Sequence, residues 1–488
     1  MRTLTPASAA MAIVVALTTC LEAADGPPAV DKPPNIVLIG MDALRSDHLG
    51  CYGYGRPTSP NIDLLASQGV LFERCYSTAS TGFSSFMSIF TGLNPAVHSH
   101  ILRTDKLMPA IPTLPERLKQ KGYYCVAVAA LDGSRGLARG FDLYDDYTCY
   151  VEAWLHYSIA GGIEPSLDYG LEDLVLSDVV TRRAVELLKR AQQSGKPFFL
   201  FVHYRDPYPN YVPPFPYNVM FDPDYEGKMN GRDVDQMRTS PPAGRDLEHM
   251  KARYDGEIAY TDRELGRFLD ALNKTADPEN TLVILVGDDG EALAEHGKLS
   301  HGHSAYREEV CVPMIWRWSG RMPPGHRVKT LVTQLDMVVT LRDLLRLDNL
   351  DLIQGRSLWS GLVGKQMPED RQVFFYQCWR PETIDMAVTQ DHLRLHAQVA
   401  KYLDRETWQF RLFDVEKDPG ERNDLFGTGH PDEQRLREAL ERLRSECLAL
   451  RAYFQSRSGK AENSLAEKDR RLVESLGYVA GAPAKTDK

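Results

Sequence analysis

Two rhythms of apolar and polar positions alternate along this chain. Unbroken apolar runs such as Asn35-Ile-Val-Leu-Ile-Gly40 and Thr281-Leu-Val-Ile-Leu-Val-Gly287 read as strands buried on both faces. Tyr123 to Ala130, Pro197 to His203 and the shorter Pro313 to Trp318 read the same way. Between them the spacing turns helical. Pro60 to Gly69 carries Ile62, Leu64 and Leu65, with Gly69 at its stop, and Leu114 to Lys121 forms a second helix. From Ser177, Val180, Ala184, Leu187 and Leu188 recur at helical intervals until Gly195 ends the run, and Tyr254 to Leu272 repeats the pattern. Strands alternating with helices predict an α/β fold: a large, mostly parallel sheet flanked by helices.

The texture changes near residue 365. Strand-like pieces at Val373 to Tyr376, Met386 to Thr389 and His392 to His396, then a charged helix from Glu433 to Tyr453, predict a smaller C-terminal α+β subdomain. The expected organisation is a main domain over 35–365, the subdomain over 366–460 and a polar tail over 461–488. Residues 1–23 read as an export signal, with an apolar stretch at Ala9 to Leu17 too short for a stable membrane span. A Pro-rich spacer follows over 24–34. The chain is therefore expected outside the cytoplasm, in the periplasm or medium. Lipoprotein anchoring at Cys20 is less favoured, because Thr19 precedes it. The one long irregular segment, Asp206 to Gly244, is rich in Pro and Tyr and reads as a substrate-side lid.

Composition narrows the function. With 57 Lys+Arg against 67 Asp+Glu the formal charge is −10, which argues against a nucleic-acid binder and leaves room for carboxylate clusters. Past the signal, Cys51, Cys75, Cys125, Cys149, Cys311, Cys378 and Cys447 are thinly spread with no CxxC pair, so neither a zinc ribbon nor a disulfide scaffold is indicated. The pattern carries no signal for oligomeric state.

Two acidic motifs stand directly after strands. Asp42 follows the first, and Asp288-Asp289 follow Thr281 to Gly287. Ligands gather at the carboxyl ends of strands in open parallel sheets, so these three carboxylates can converge there. Clustered carboxylates repel unless a cation neutralises them, and oxygen donors suit Ca²⁺, Mg²⁺ or Mn²⁺. Capping of the following helices is the competing reading.

A longer series of motifs resembles the sulfatase family within the alkaline-phosphatase-like superfamily. It begins with Asp42-Ala-Leu-Arg-Ser-Asp-His-Leu-Gly-Cys-Tyr-Gly53 and Thr58-Ser-Pro-Asn-Ile-Asp63, then Thr91-Gly-Leu-Asn-Pro95 and Arg139-Gly-Phe-Asp142. It continues through Phe199 to Tyr204 with Asp206-Pro207, Tyr254 to Asp262, Asp288 to Glu291, His301-Gly302, and Leu412 to Asn423. The resemblance implies a hydrolase of sulfate esters, with sulfated or otherwise anionic carbohydrate as substrate and one divalent cation, Ca²⁺ before Mg²⁺ or Mn²⁺, as cofactor. By position, Asp42, Asp288 and Asp289 match metal ligands and His301 a residue contacting the sulfate group. Arg45 matches a position near the site or a structural ion pair. Position 43 is Ala where many members have a second Asp, and 289 is Asp where Asn or His is usual.

The same comparison exposes gaps. The nucleophile position, where the family uses Cys or Ser converted to formylglycine or an unmodified hydroxyl, is Gly82. The Pro two positions on is Ser84, the basic residue after it is Phe86, and the His of the Asp-Pro-His element is Tyr208. Thr81, Ser84 and Ser85 are the nearby hydroxyls; Ser84 is expected as helix N-cap, with Thr81 in the lead-in. His48, His98, His203, His296 and His303 read as loop or core histidines. Three functions stay open on these residues: a sulfuric ester hydrolase, a non-catalytic binder of anionic glycans, and a phosphodiester or phosphonate ester hydrolase working through Thr81 or Ser84.

Overall fold

The apolar runs become strands in the computed structural model, which describes residues 27, 32–99, 105–146, 177–348, 350, 352–369, 371–380, 383–402 and 405–458. The expected export signal with Cys20, most of the spacer, Cys149 and the 461–488 tail lie outside the described residues. In chain order the strands are β1 (Asn35–Met41), β2 (Val70–Tyr76), β3 (Tyr124–Ala129), β4 (Leu143–Asp145), β5 (Phe198–Tyr204) and β6 (Thr281–Gly287). A small hairpin of β7 (Ala292–Leu293) and β8 (Leu299–Ser300) precedes β9 (Cys311–Arg317), β10 (His326–Val328) and β11 (Val332–Thr333). The main sheet runs β10-β2-β9-β6-β1-β5-β3-β4, with β11 beside β2. β1 lies at its centre, parallel to both β5 and β6, and β9 is antiparallel to its two neighbours.

Side chains alternate across β1, so each face builds its own core. Ile36 and Leu38 pack with helices α2 (Gly82–Thr91), α3 (Leu114–Gln120), α6 (Leu335–Leu345) and α7 (Glu433–Arg457). Val37 and Ile39 pack with α1 (Pro60–Ser67), α4 (Ser177–Gln193) and α5 (Gly244–Thr275). Each wholly buried Val, Leu, Ile or Phe contributes about 1.5–3 kcal/mol, which fixes the sheet as the rigid base of the site.

The C-terminal part is an antiparallel sheet of β12 (Gln372–Arg380), β13 (Thr383–Gln390), β14 (Leu393–Tyr402) and β15 (Arg405–Asp414), packed against α7. The predicted strand-like pieces account for three of these. β15 went unread because charged residues separate Trp408, Phe410 and Leu412, whose alternation was its signal. Helix α5 begins at Gly244, ten residues before Tyr254, because its first turns are charged and show little apolar periodicity. Among the described residues no helix is long and apolar enough to cross a membrane. Cys51, Cys75, Cys125, Cys311 and Cys447 are free thiols.

Candidate metal centre and anion pocket

Sheet register brings the acidic motifs together. Met41 on β1 is paired with Gly287 on β6, so Asp42 and Asp288 leave the sheet side by side. The ladder continues one step further: Asp288 N donates to the Met41 carbonyl at 3.2 Å, and Asp42 N donates to the Tyr204 carbonyl at 3.0 Å. Asp289 turns back across the gap, accepting from Ala43 N at 3.2 Å through Oδ1, while Asp288 Oδ1 accepts from Asp289 N at 2.8 Å.

The other oxygens decide between capping and a cation. Asp42 Oδ1, Asp288 Oδ2 and Asp289 Oδ2 are buried and make no hydrogen bond. Asp42 is 5% exposed and the other two 0%. Burial first, then repulsion from Asp288, raises Asp42 to about 7; burial likewise raises Asp288 to about 7 and Asp289 well above its ordinary value. Buried, unpartnered carboxylates are costly unless a cation joins them, and oxygen donors of this kind suit a divalent ion. Donor atoms of Asp42, Asp288 and His203 lie within 4.8 Å of one another, as do those of Asp42, Asp289 and His301.

Residue 82 adjoins this cluster. Gly82 is the first residue of α2, and a β-carbon there would stand 3.4 Å from Asp42 Oδ1 and inside contact distance of Asp288 Oδ2. Helix N-terminal N–H groups at this point favour an anion. The N-cap is Thr81, not Ser84 as the sequence suggested; the helix starts earlier because Gly82 and Phe83 already adopt helical conformation. Thr81 makes no side-chain cap; its hydroxyl reaches Gln377 of β12 at 3.4 Å. Ser84 sits buried in the first turn, and the Ser85 hydroxyl donates to the Ala79 carbonyl at 3.2 Å.

Phe86 is wholly buried over Gly40, where a β-carbon would collide with its ring, and it meets His203 edge-on at 4.8 Å. A phenyl ring therefore fills the space where the resemblance leads one to expect a cation. Tyr208 stands against His301 with ring centroids 5.1 Å apart, and Arg205 lies 4.4 Å over the Tyr208 ring.

His301 is held by a relay. Its Nδ1 pairs with Glu291 Oε2 at 2.6 Å, and the Tyr211 hydroxyl donates to Glu291 Oε1. Burial disfavours the imidazolium, but Asp289 and Glu291 outweigh it and hold His301 well above its usual pKa. Tyr211 belongs to the irregular segment expected as a lid, so this tether fastens that segment to the site. Arg45 is turned elsewhere: it pairs with Asp47 at 2.8 Å and Glu295 at 2.6 Å, and donates to the Glu291 carbonyl.

One site residue escaped sequence reading. His48 pairs with Asp255, His98 with Ser88, His296 with Glu308, and His303 with the Leu299 carbonyl, as core or loop histidines do. His203 does not fit that description: it is 0% exposed, and neither ring nitrogen has a hydrogen-bond partner. Burial holds it neutral, down at about 4. The signal was available, since Pro197 to His203 ends in its only polar residue at the carboxyl end of a central strand.

Comparison with known proteins gives the family and the fold. Residues 34–347 match the family model described as Sulfatase, and residues 294–446 match N-sulphoglucosamine sulphohydrolase, C-terminal. The chain is 26% identical to an arylsulfatase of Clostridium perfringens, covering 81% of this chain and 90% of that one. It is 23% identical to an N-acetylglucosamine-6-O-sulfatase of Bacteroides thetaiotaomicron, covering 91% of each. Two solved structures share the fold. One, described as a complex with its substrate D-glucosamine-2-N,6-O-disulfate, has a TM-score of 0.68 at 18% identity, covering 88% of this chain and 100% of that one. The other, the phosphonate monoester hydrolase of Agrobacterium radiobacter, has 0.67 at 21%, covering 89% and 98%.

Proposed function

The chain belongs to the sulfatase family, and from that premise we propose that it binds the sulfo group of a sulfated carbohydrate at one divalent cation held by Asp42, Asp288 and Asp289. The observation that carries this reading is the set of three buried, unbonded carboxylate oxygens, two of which, Asp42 Oδ1 and Asp288 Oδ2, stand beside the start of α2. When bound, such a cation supplies Lewis-acid stabilisation of charge on non-bridging oxygens. The Gly82 helix start attracts the anion, and the Glu291 carboxylate paired with His301 Nδ1 favours an imidazolium that donates to it. Sulfated-carbohydrate sulfatases among the relatives support the substrate class. Carboxylates alone suit Ca²⁺, Mg²⁺ or Mn²⁺ equally well.

Residue 82 itself supplies no covalent catalysis on this reading. Gly82 has no attacking group, the Thr81 hydroxyl faces Gln377 and that of Ser85 faces Ala79. An enzyme deprived of its nucleophile retains only ~10³–10⁴ over water. Against the accelerations of up to ~10²¹ that the slowest esters demand, that residue of activity makes hydrolysis slow and binding the main role. The second reading is hydrolysis of a phosphonate or phosphodiester group at the same cation, supported by the phosphonate monoester hydrolase neighbour. Export through residues 1–23 belongs to the proposal as well.

Calorimetry with sulfated mono- and disaccharides, alongside turnover of aryl sulfate and bis-aryl phosphate, tests this. Cation-dependent binding with slow or no turnover supports the binding reading. Rapid aryl sulfate turnover abolished by Asp42→Ala overturns it in favour of an enzyme, and rapid phosphate ester turnover selects the second reading.

A further inference from the structure

Six histidines are buried among the described residues, and five of them are bonded: His48 to Asp255, His98 to Ser88, His249 to Asp222, His301 to Glu291 and His396 to Glu421. His203 alone among them leaves both ring nitrogens without a partner. A buried imidazole in that state forfeits two hydrogen bonds, a cost that native interiors rarely carry without a reason.

Its position supplies the reason. His203 is register-paired with Gly40, one step before the Met41–Asp42 end of β1, so its ring lies at the edge where the carboxylates gather. Nε2 is 3.8 Å from Asp288 Oδ2. That is too long for a hydrogen bond, yet it is shorter than a metal–nitrogen and a metal–oxygen bond laid end to end, roughly 4.1 Å. The pair is spaced as two donors to one ion are, and Asp42 offers a third atom within the same 4.8 Å. Phe86 edge-on and Phe201 alongside, with centroids at 4.8 and 6.1 Å, leave the ring little freedom to turn away.

We infer that His203 is a ligand of the cation together with Asp42 and Asp288, and that this imidazole makes the site select Zn²⁺ over Ca²⁺. The inference rests on the cation reading above and deepens it. Oxygen-only sites suit Ca²⁺ or Mg²⁺, whereas a neutral imidazole beside carboxylates suits Zn²⁺. The substitution pattern at the site is coherent on this view. Residue 82 contributes no donor atom, Gly40 leaves room for Phe86, and Phe86 braces the ring that does contribute one.

The test uses full-length protein stripped with a chelator, then titrated with Zn²⁺ and with Ca²⁺ by calorimetry, in wild type and in His203→Phe. Phenylalanine keeps the ring in its aromatic surroundings while removing both nitrogens. Wild type should bind Zn²⁺ far more tightly than Ca²⁺, and His203→Phe should lose at least about a hundredfold in Zn²⁺ affinity with Ca²⁺ affinity little changed. X-ray absorption of the zinc-loaded proteins gives a second readout, with one imidazole fewer expected in the variant; should His203→Phe not fold, wild-type zinc protein without imidazole scattering overturns the inference by itself. Equal Zn²⁺ affinity in both proteins, an unchanged imidazole count, or tighter Ca²⁺ than Zn²⁺ binding by wild type overturns the role of His203 and leaves the carboxylate site standing. Failure of wild type to bind either ion overturns the cation reading itself.

Discussion

Gly82 faces Asp288 so closely that a β-carbon on residue 82 would fall inside contact distance of the carboxylate Oδ2. The residue that begins α2 and the residue that follows β6 therefore share one small space, and the absence of a side chain on the first is what leaves the second its position.

Restoring a hydroxyl at that point alone should not restore an enzyme. Gly82→Ser must push Asp288 aside, while Phe86 and Tyr208 still occupy positions where the family resemblance calls for a basic residue and a histidine. Aryl sulfate turnover by Gly82→Ser is expected to stay within about 10²-fold of wild type, well under the ~10⁴ or more that a working nucleophile contributes. A larger gain would show that the other two replacements matter little.

Gly40 and Phe86 should behave as one unit. A β-carbon on residue 40 collides with the Phe86 ring, so Gly40→Ala is expected to destabilise the protein by about 1–3 kcal/mol, read from the denaturation midpoint. In the Phe86→Ala background the same substitution should cost much less, because the obstacle is gone. Additive effects in the double mutant would contradict the packing described here.

Glu291 positions His301 rather than touching the anion. Glu291→Gln keeps the size but removes the charge that favours the imidazolium, so affinity for a sulfated monosaccharide should fall about tenfold or more. The fall should be steeper at higher pH, where the variant's histidine is neutral and the wild-type one still charged. An unchanged pH profile of binding would remove His301 from the pocket's working parts.

Asp262 tests the frame beneath the site. It accepts from the backbone N–H groups of Asn61 and Ile62 at 3.1 and 2.8 Å, capping α1 from a neighbouring helix. Burial raises its pKa to about 6, despite those bonds. A carboxyl whose folded pKa exceeds its unfolded value favours folding most when protonated. Its contribution is full below about pH 4 and is lost as pH rises through 6, a change of roughly 2–3 kcal/mol. Asp262→Asn should flatten that part of the stability–pH curve, measured by urea denaturation between pH 4 and 7.

The sheet was legible because β1, β5 and β6 are unbroken apolar runs, and a run buried on both faces has few alternatives. Asp42 and Asp288–Asp289 were legible for the same reason, since each directly follows such a run. What sequence left open was cross-chain geometry. No pattern within Pro197 to His203 says that Gly40 is its register partner, and that pairing is what brings the run's one polar residue, His203, to the carboxylates. Likewise the start of α2 at Gly82 depends on how the preceding loop enters the sheet edge, whereas the local preference for a serine cap pointed to Ser84.

Melting of chelator-treated protein with and without an added divalent ion reaches the central claim most directly. A cation at a hundred times its dissociation constant should stabilise wild type by about 2.7 kcal/mol, and the gain should vanish in an Asp42→Asn, Asp288→Asn double variant. A wild-type protein whose melting temperature is indifferent to Ca²⁺, Mg²⁺, Mn²⁺ and Zn²⁺ alike would contradict it.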